Sequence, residues 1–197
     1  AVAAYTRPGD ALTFFEIDPM VIKISTDPKH FSYTTKCSKG AIDYVLGDAR
    51  LTLAKQPDDT FDVLLIDAFS SDAVPAHLLT VEAMKGYLAK LKPDGVLILH
   101  LSNRNLELRG PAMAVAEAAG GYSLIQRHSA AKGRPPLWES AEDAMIVTRQ
   151  LGALAPYEAD TRWDATNPTL ARPWTDDYMN LVGALYAQMK ERHSWLP

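Results

Sequence analysis

The 197-residue chain has a single cysteine, Cys37, so no intrachain disulfide can tie it together. That suits a reducing compartment such as the cytoplasm, where Cys37 reads as packing or surface. Long apolar stretches are also missing. The aliphatic run at residues 96–99 is far short of the roughly 20 residues that a membrane-spanning helix needs, and the N-terminus has no charged-then-apolar leader pattern. No membrane association is therefore expected of this chain. A positive excess is lacking too: 20 Lys+Arg against 24 Asp+Glu leave a formal charge of −4. Without a basic cluster there is no field to hold a phosphate backbone, which argues against nucleic acid and for a cationic or neutral small molecule. The five histidines show no pair at metal-ligand spacing, so no metal is expected, and His100 on its apolar run reads as a hydrogen-bonded core residue. Internal repeats and low-complexity tracts are absent.

What is there is the balance of a folded domain, 47% hydrophobic and 22% charged residues. Short β-branched runs alternate with longer amphipathic stretches, the pattern of βα units around a parallel sheet. A helix end at residues 1–5 is closed by Arg7-Pro8-Gly9-Asp10, and a strand follows at 12–17. Asp18 as N-cap and Pro19 at the first helical position open a short helix through Thr26. Strands are expected at 41–46 and 61–66 with a short helix at 49–55 between them. The apolar face of Ala83, Met84, Tyr87, Leu88 and Leu91 predicts a helix over 80–91. Lys92-Pro93-Asp94-Gly95 then turns the chain into a buried strand at 96–101. A helix at 111–119 and strands at 122–126 and 144–148, the last two as an antiparallel pair, complete residues 1–150. The remainder, 151–197, is irregular and ends in an amphipathic helix through Tyr178, Leu181, Val182, Leu185, Tyr186 and Met189. It reads as a cover on the same domain, too short for a core of its own.

Ligands of open parallel sheets bind outside the carboxyl ends of the strands, so polar residues there are the candidates. Glu16 closes the first strand, where a carboxylate can accept both hydroxyls of a ribose; its bland alternative is a solvated strand end. Beside it, Asp18 reads as a cap. Asp48 follows its strand through Gly47, which would let the backbone approach a flat ring while the carboxylate accepts from an exocyclic amine; the alternative is again a helix cap. Asp67 leaves a wholly apolar strand, a place suited to a base or a cation-holding group. Asp72 either joins it or belongs to a surface turn. Trp174-Thr175-Asp176-Asp177-Tyr178 either lends carboxylates and aromatics to a cationic substrate or opens the last helix, where Asp176 and Asp177 would favour the N-terminus. Asn103 and Arg104, after the 96–101 strand, are pocket candidates by position alone.

Taken in order, Glu16-Ile17-Asp18, Gly47-Asp48-Ala49, the stretch 62–79, Leu91-Lys92-Pro93-Asp94-Gly95 and the Trp174–Tyr178 motif resemble the spermidine synthase-like branch of the class I S-adenosylmethionine-dependent methyltransferases. The resemblance implies a Rossmann-like α/β sheet with helices on both faces, with the family's first strand and glycine loop falling before Ala1. It implies that S-adenosylmethionine or its decarboxylated form is held by Glu16, Ile17, Asp48, Ala49 and Asp67. Asp67 and Asp72 become the catalytic acids that orient or deprotonate an amine, and Asp72, Trp174, Asp176, Asp177 and Tyr178 the substrate contacts. Glu16, Asp48 and Asp67 are then expected to converge on one crevice. Aminopropyl transfer to a polyamine such as putrescine is the first activity implied, methyl transfer the second, and a non-catalytic interaction module the third. A sheet without its central strand would leave neighbours short of a partner, so rearrangement, a homodimer or weak cofactor binding is also expected.

Overall fold

The computed structural model describes residues 2–67, 76–129, 142–166 and 171–192. The chain forms two compact units, Ala1–Gln56 and Pro57–Pro197.

The first unit is a parallel βαβ arrangement. A short 3-10 turn at Val2–Tyr5 precedes β1 (Ala11–Glu16), α1 (Pro19–Thr26), a single π turn at Tyr33–Cys37, β2 (Ala41–Leu46) and α2 (Ala49–Ala54). β1 and β2 run parallel in direct register from Ala11 opposite Ala41 to Glu16 opposite Leu46. Both helices start on an aspartate. Asp18 Oδ1 accepts from the Met20 amide at 2.7 Å with Pro19 at the first position, and Asp48 Oδ1 accepts from the Leu51 amide at 3.0 Å. Each cap satisfies an amide that the helix itself leaves without a partner. Gly47 has φ +139°, and a Cβ there would meet Thr52 Cγ2 at 2.8 Å. The glycine that sequence reasoning assigned to the approach of a flat ring is thus required by the turn into α2 itself.

The second unit holds β3 (Phe61–Ile66), α3 (Val81–Lys90), β4 (Leu91–His100), α4 (Arg109–Ala118), β5 (Tyr122–His128), β6 (Glu142–Thr148), α5 (Ala155–Glu158), β7 (Asp164–Ala165) and α6 (Leu181–Arg192). Its sheet has the order β3-β4-β6-β5-β7. β3 and β4 are parallel, whereas β6 is antiparallel to both β4 and β5, the pairing expected of the last two long strands. Lys92-Pro93-Asp94-Gly95 bulges out of the ladder between the Phe61–Leu91 and Val63–Val96 pairs. β4 therefore begins before the expected turn.

Strand alternation builds two packed faces. Val96, Leu124 and Ile146 gather Leu154 from the 3-10 turn Leu151–Leu154, with Ile98, Tyr157 and Trp163 against them. On the other face Leu97, Leu99, Met145 and Val147 are buried. Gly121 lies so close to Val147 and Leu88 that an added Cβ would meet Val147 Cγ1 at 2.5 Å and Leu88 Cδ1 at 3.4 Å. Helical segments thus cover the sheet on both sides. α6 starts at Leu181, after Tyr178, and of its residues only Ala184 is buried; Leu181, Val182, Leu185, Tyr186 and Met189 are exposed. The apolar stripe expected to pack downward faces solvent. The helix is held instead by polar contacts: Arg109 pairs with Glu191, the Glu107 amide donates to the Ala184 carbonyl, and Gln188 Nε2 donates to the Asn103 carbonyl. Burial works against the Arg109 charge, but the Glu191, Asp143 and Glu107 carboxylates outweigh it and hold the guanidinium above its ordinary pKa. No helix among the described residues is long and apolar enough to cross a membrane.

Candidate functional site

The strand-end acids fall into two groups, one in each unit. In the first unit Glu16 and Asp48 are neighbours at the carboxyl ends of adjacent parallel strands. The Gly47 amide donates to the Glu16 carbonyl at 2.9 Å, which fixes the two strand exits side by side. Glu16 Oε1 accepts from the Asp18 amide at 2.9 Å, while Oε2 has no partner among the described residues. A carboxylate offers about four acceptor positions, so this one keeps capacity for a diol. Ile17, next in the chain, is 66% exposed, a large apolar side chain presented to solvent beside that carboxylate. Asp48 serves α2 as a cap through Oδ1, and Thr52 Oγ1 donates to its carbonyl at 2.7 Å. Ala49 is the first residue of α2. The capping readings of Asp18 and Asp48 are therefore realised, and for Asp48 a cap through Oδ1 does not by itself exclude a ligand role.

In the second unit Asp67 directly follows β3. Its Oδ1 lies 2.8 Å from His100 Nδ1. The parallel register, with Ile66 opposite Leu99, sets the two side by side at the carboxyl ends of their strands. The side chains are 56% (Asp67) and 35% (His100) exposed. His100 is therefore a strand-end group half open to solvent and not the core residue that its apolar run suggested. The signal that would have found it is the strand-end rule applied to histidine as well as to acids. Asp72 lies outside the described residues.

The Trp174–Tyr178 motif does not open α6. Trp174 is 1% exposed and its carbonyl accepts from the Val81 amide at 2.9 Å. Thr80, the buried N-cap of α3, takes the Ala83 amide and donates Oγ1 to Asp176 Oδ1 at 2.8 Å. Glu82 Oε2 accepts from the Asp176 amide, and a tight bridge joins Thr175 to Tyr178. Asp176 thus serves the start of α3, an effect of the same kind as that expected for α6 but on a different helix. The Tyr178 ring already carries a cation, the Arg172 guanidinium 3.9 Å from its centroid. Asn103 Oδ1 accepts the amides of Asn105 and Leu106, organising its own loop. Among the described residues no group of three or more His, Cys, Asp or Glu is placed to hold a metal ion.

This arrangement of strands has counterparts among known proteins. A structure described as that of a probable spermidine synthase from Corynebacterium glutamicum superposes with a TM-score of 0.56 over 86% of this chain and 64% of that one, at 14% sequence identity. The chain has the spermidine synthase fold. The fold is Rossmann-like α/β, as the strand-end motifs implied. A spermidine synthase from Thermotoga maritima aligns over 98% of this chain and 71% of that one at 14% identity, with a TM-score of 0.47. In sequence, the uncharacterized protein MJ1233 of Methanocaldococcus jannaschii is 31% identical over 110 residues, 56% of this chain and 36% of that protein. The chain thus spans little more than a third of that relative's length. No family model matches.

Proposed function

We propose that this chain is the nucleoside-binding part of a transferase that uses S-adenosylmethionine or decarboxylated S-adenosylmethionine to alkylate an amine, with aminopropyl transfer to a polyamine such as putrescine as the first activity to test. The observation that carries the reading is Glu16, a carboxylate with one oxygen uncommitted among the described residues, at the end of a parallel strand beside Asp48 and the exposed Ile17. In this reading Glu16 accepts the ribose hydroxyls, Ile17 offers its apolar surface to the adenine, and Asp48 with the Ala49 amide meets the polar edge of the base. The bound sulfonium supplies an electrophilic carbon. Asp67 and Asp72 attract and orient the cationic acceptor, and an acidic chain of charge −4 favours its approach. Positioning is the main catalytic contribution expected of such a site.

Calorimetric titration with S-adenosylmethionine, its decarboxylated form and methylthioadenosine tests the proposal. Heat with at least one of them, weakened about tenfold or more by Glu16→Gln through loss of a charge-assisted pair, is expected. Tighter binding of the decarboxylated form supports aminopropyl over methyl transfer. No heat with any of the three overturns the reading and leaves the interaction module.

A further inference from the structure

Proton transfer is the step for which the strand-end acids alone are poorly matched. An alkylammonium must lose a proton before its nitrogen can attack. An ordinary carboxylate, with a conjugate acid near pKa 4, is weaker than a neutral imidazole, near 6.5, by about two powers of ten in basicity. The structure supplies an imidazole at the same strand ends. Asp67 Oδ1 and His100 Nδ1 are 2.8 Å apart, both side chains reach solvent, and neighbouring exits of β3 and β4 hold them together.

We infer that His100 is the proton acceptor for the amine and that Asp67 is its positioning residue, holding Nδ1 protonated so that Nε2 is the basic nitrogen. The inference rests on the transferase reading given above. A carboxylate contact at Nδ1 selects that tautomer and stabilises the imidazolium that forms. In the step, the ammonium R–NH3+ gives one proton to Nε2. The freed nitrogen lone pair bonds to the carbon attached to sulfur, the C–S bond breaks, and its electron pair leaves with sulfur as a neutral thioether. The product nitrogen is a secondary ammonium, and His100 returns its proton to solvent. Charge balances: one ammonium and one sulfonium become one secondary ammonium, one thioether and one released proton. The acceptor class that needs such a base is an amine cationic at neutral pH.

Two readouts test the assignment. Long-range 1H–15N spectra of the full chain should show neutral His100 protonated at Nδ1, moving to Nε2 in Asp67→Ala. A structural hydrogen bond alone would not yield the second readout: single-turnover transfer from decarboxylated S-adenosylmethionine to putrescine should fall about 100-fold or more in His100→Gln. Methylthioadenosine affinity should stay within about twofold of the unsubstituted chain, because the base acts on the acceptor and not on nucleoside binding. Added imidazole should restore part of the rate in His100→Ala. Protonation of His100 at Nε2 in the unsubstituted chain, or an undiminished rate in His100→Gln, overturns the assignment while nucleoside binding stands. Failure of the unsubstituted chain to bind methylthioadenosine overturns the transferase reading instead, and the acceptor step falls with it.

Discussion

The two units reach a similar design, carboxylates at the ends of parallel strands, by different physical means. Of the buried hydrophobic residues only Ala3 and Leu53 lie in the first unit, among the described residues, and the rest lie in the second. In the first unit the strand exits are set by local devices: aspartate caps on α1 and α2, a proline at the first turn, and a positive-φ glycine between β2 and α2. In the second, the Asp67–His100 pair stands on a sheet whose strands are packed on both faces. Apolar burial is the larger stabilising term, at about 25 cal/mol per Å², so the second unit should be the rigid one and the first should owe more of its order to capping and ladder hydrogen bonds.

The sharpest way to break this comparison is to remove core volume. Leu97→Ala on β4 should destabilise the second unit by about 2–5 kcal/mol, whereas Val45→Ala on the half-buried β2 should cost about 1 kcal/mol or less, since less area returns to water. Denaturant unfolding of both variants measures the difference, and equal losses would refute it. Next in size, Thr80→Ala should cost about 1–2 kcal/mol, because it removes the α3 cap and strands Asp176. Asp18→Ala should cost about 1 kcal/mol and be felt locally. Amide hydrogen exchange should then show β1 and β2 opening at lower free energy than β4 and β6; full protection of β1 in a monomer would erase the distinction between the units. The smallest effect is electrostatic. Hydrogen bonds from Arg162 depress the Asp160 carboxyl to about 2 from 3.8. A lowered carboxyl stabilises the folded chain above its unfolded value and loses that contribution as pH falls from about 4 to 2. Carboxyl 13C titration should show the Asp160 midpoint near 2, returning toward the ordinary range in Arg162→Ala.

The sequence was most readable where a local rule decides the structure. Pro19 behind Asp18 marked the start of α1, and the β-branched runs gave β2 and β3 with their observed bounds. The antiparallel β5–β6 pair was also legible. Misreadings came where long-range pairing decides. His100 looks like core because Val96-Leu97-Ile98-Leu99 precede it, and only the Ile66–Leu99 register brings it beside Asp67. Asp176 and Asp177 look like a helix start because they are acidic and precede an amphipathic stretch, yet the Thr80 hydroxyl, 96 residues earlier, takes Asp176. The stripe on α6 has helical spacing but no apolar partner among the described residues, and the Arg109–Glu191 pair that holds the helix is invisible to periodicity.

The most direct test follows backbone amide shifts while methylthioadenosine is added to the 15N-labelled chain. Saturable shifts centred on residues 16–18 and 47–49, abolished or weakened about tenfold or more in Glu16→Gln, are the predicted result. Shifts confined to other residues, or none at saturating nucleoside, would contradict the claim that Glu16 and Asp48 receive an adenosine.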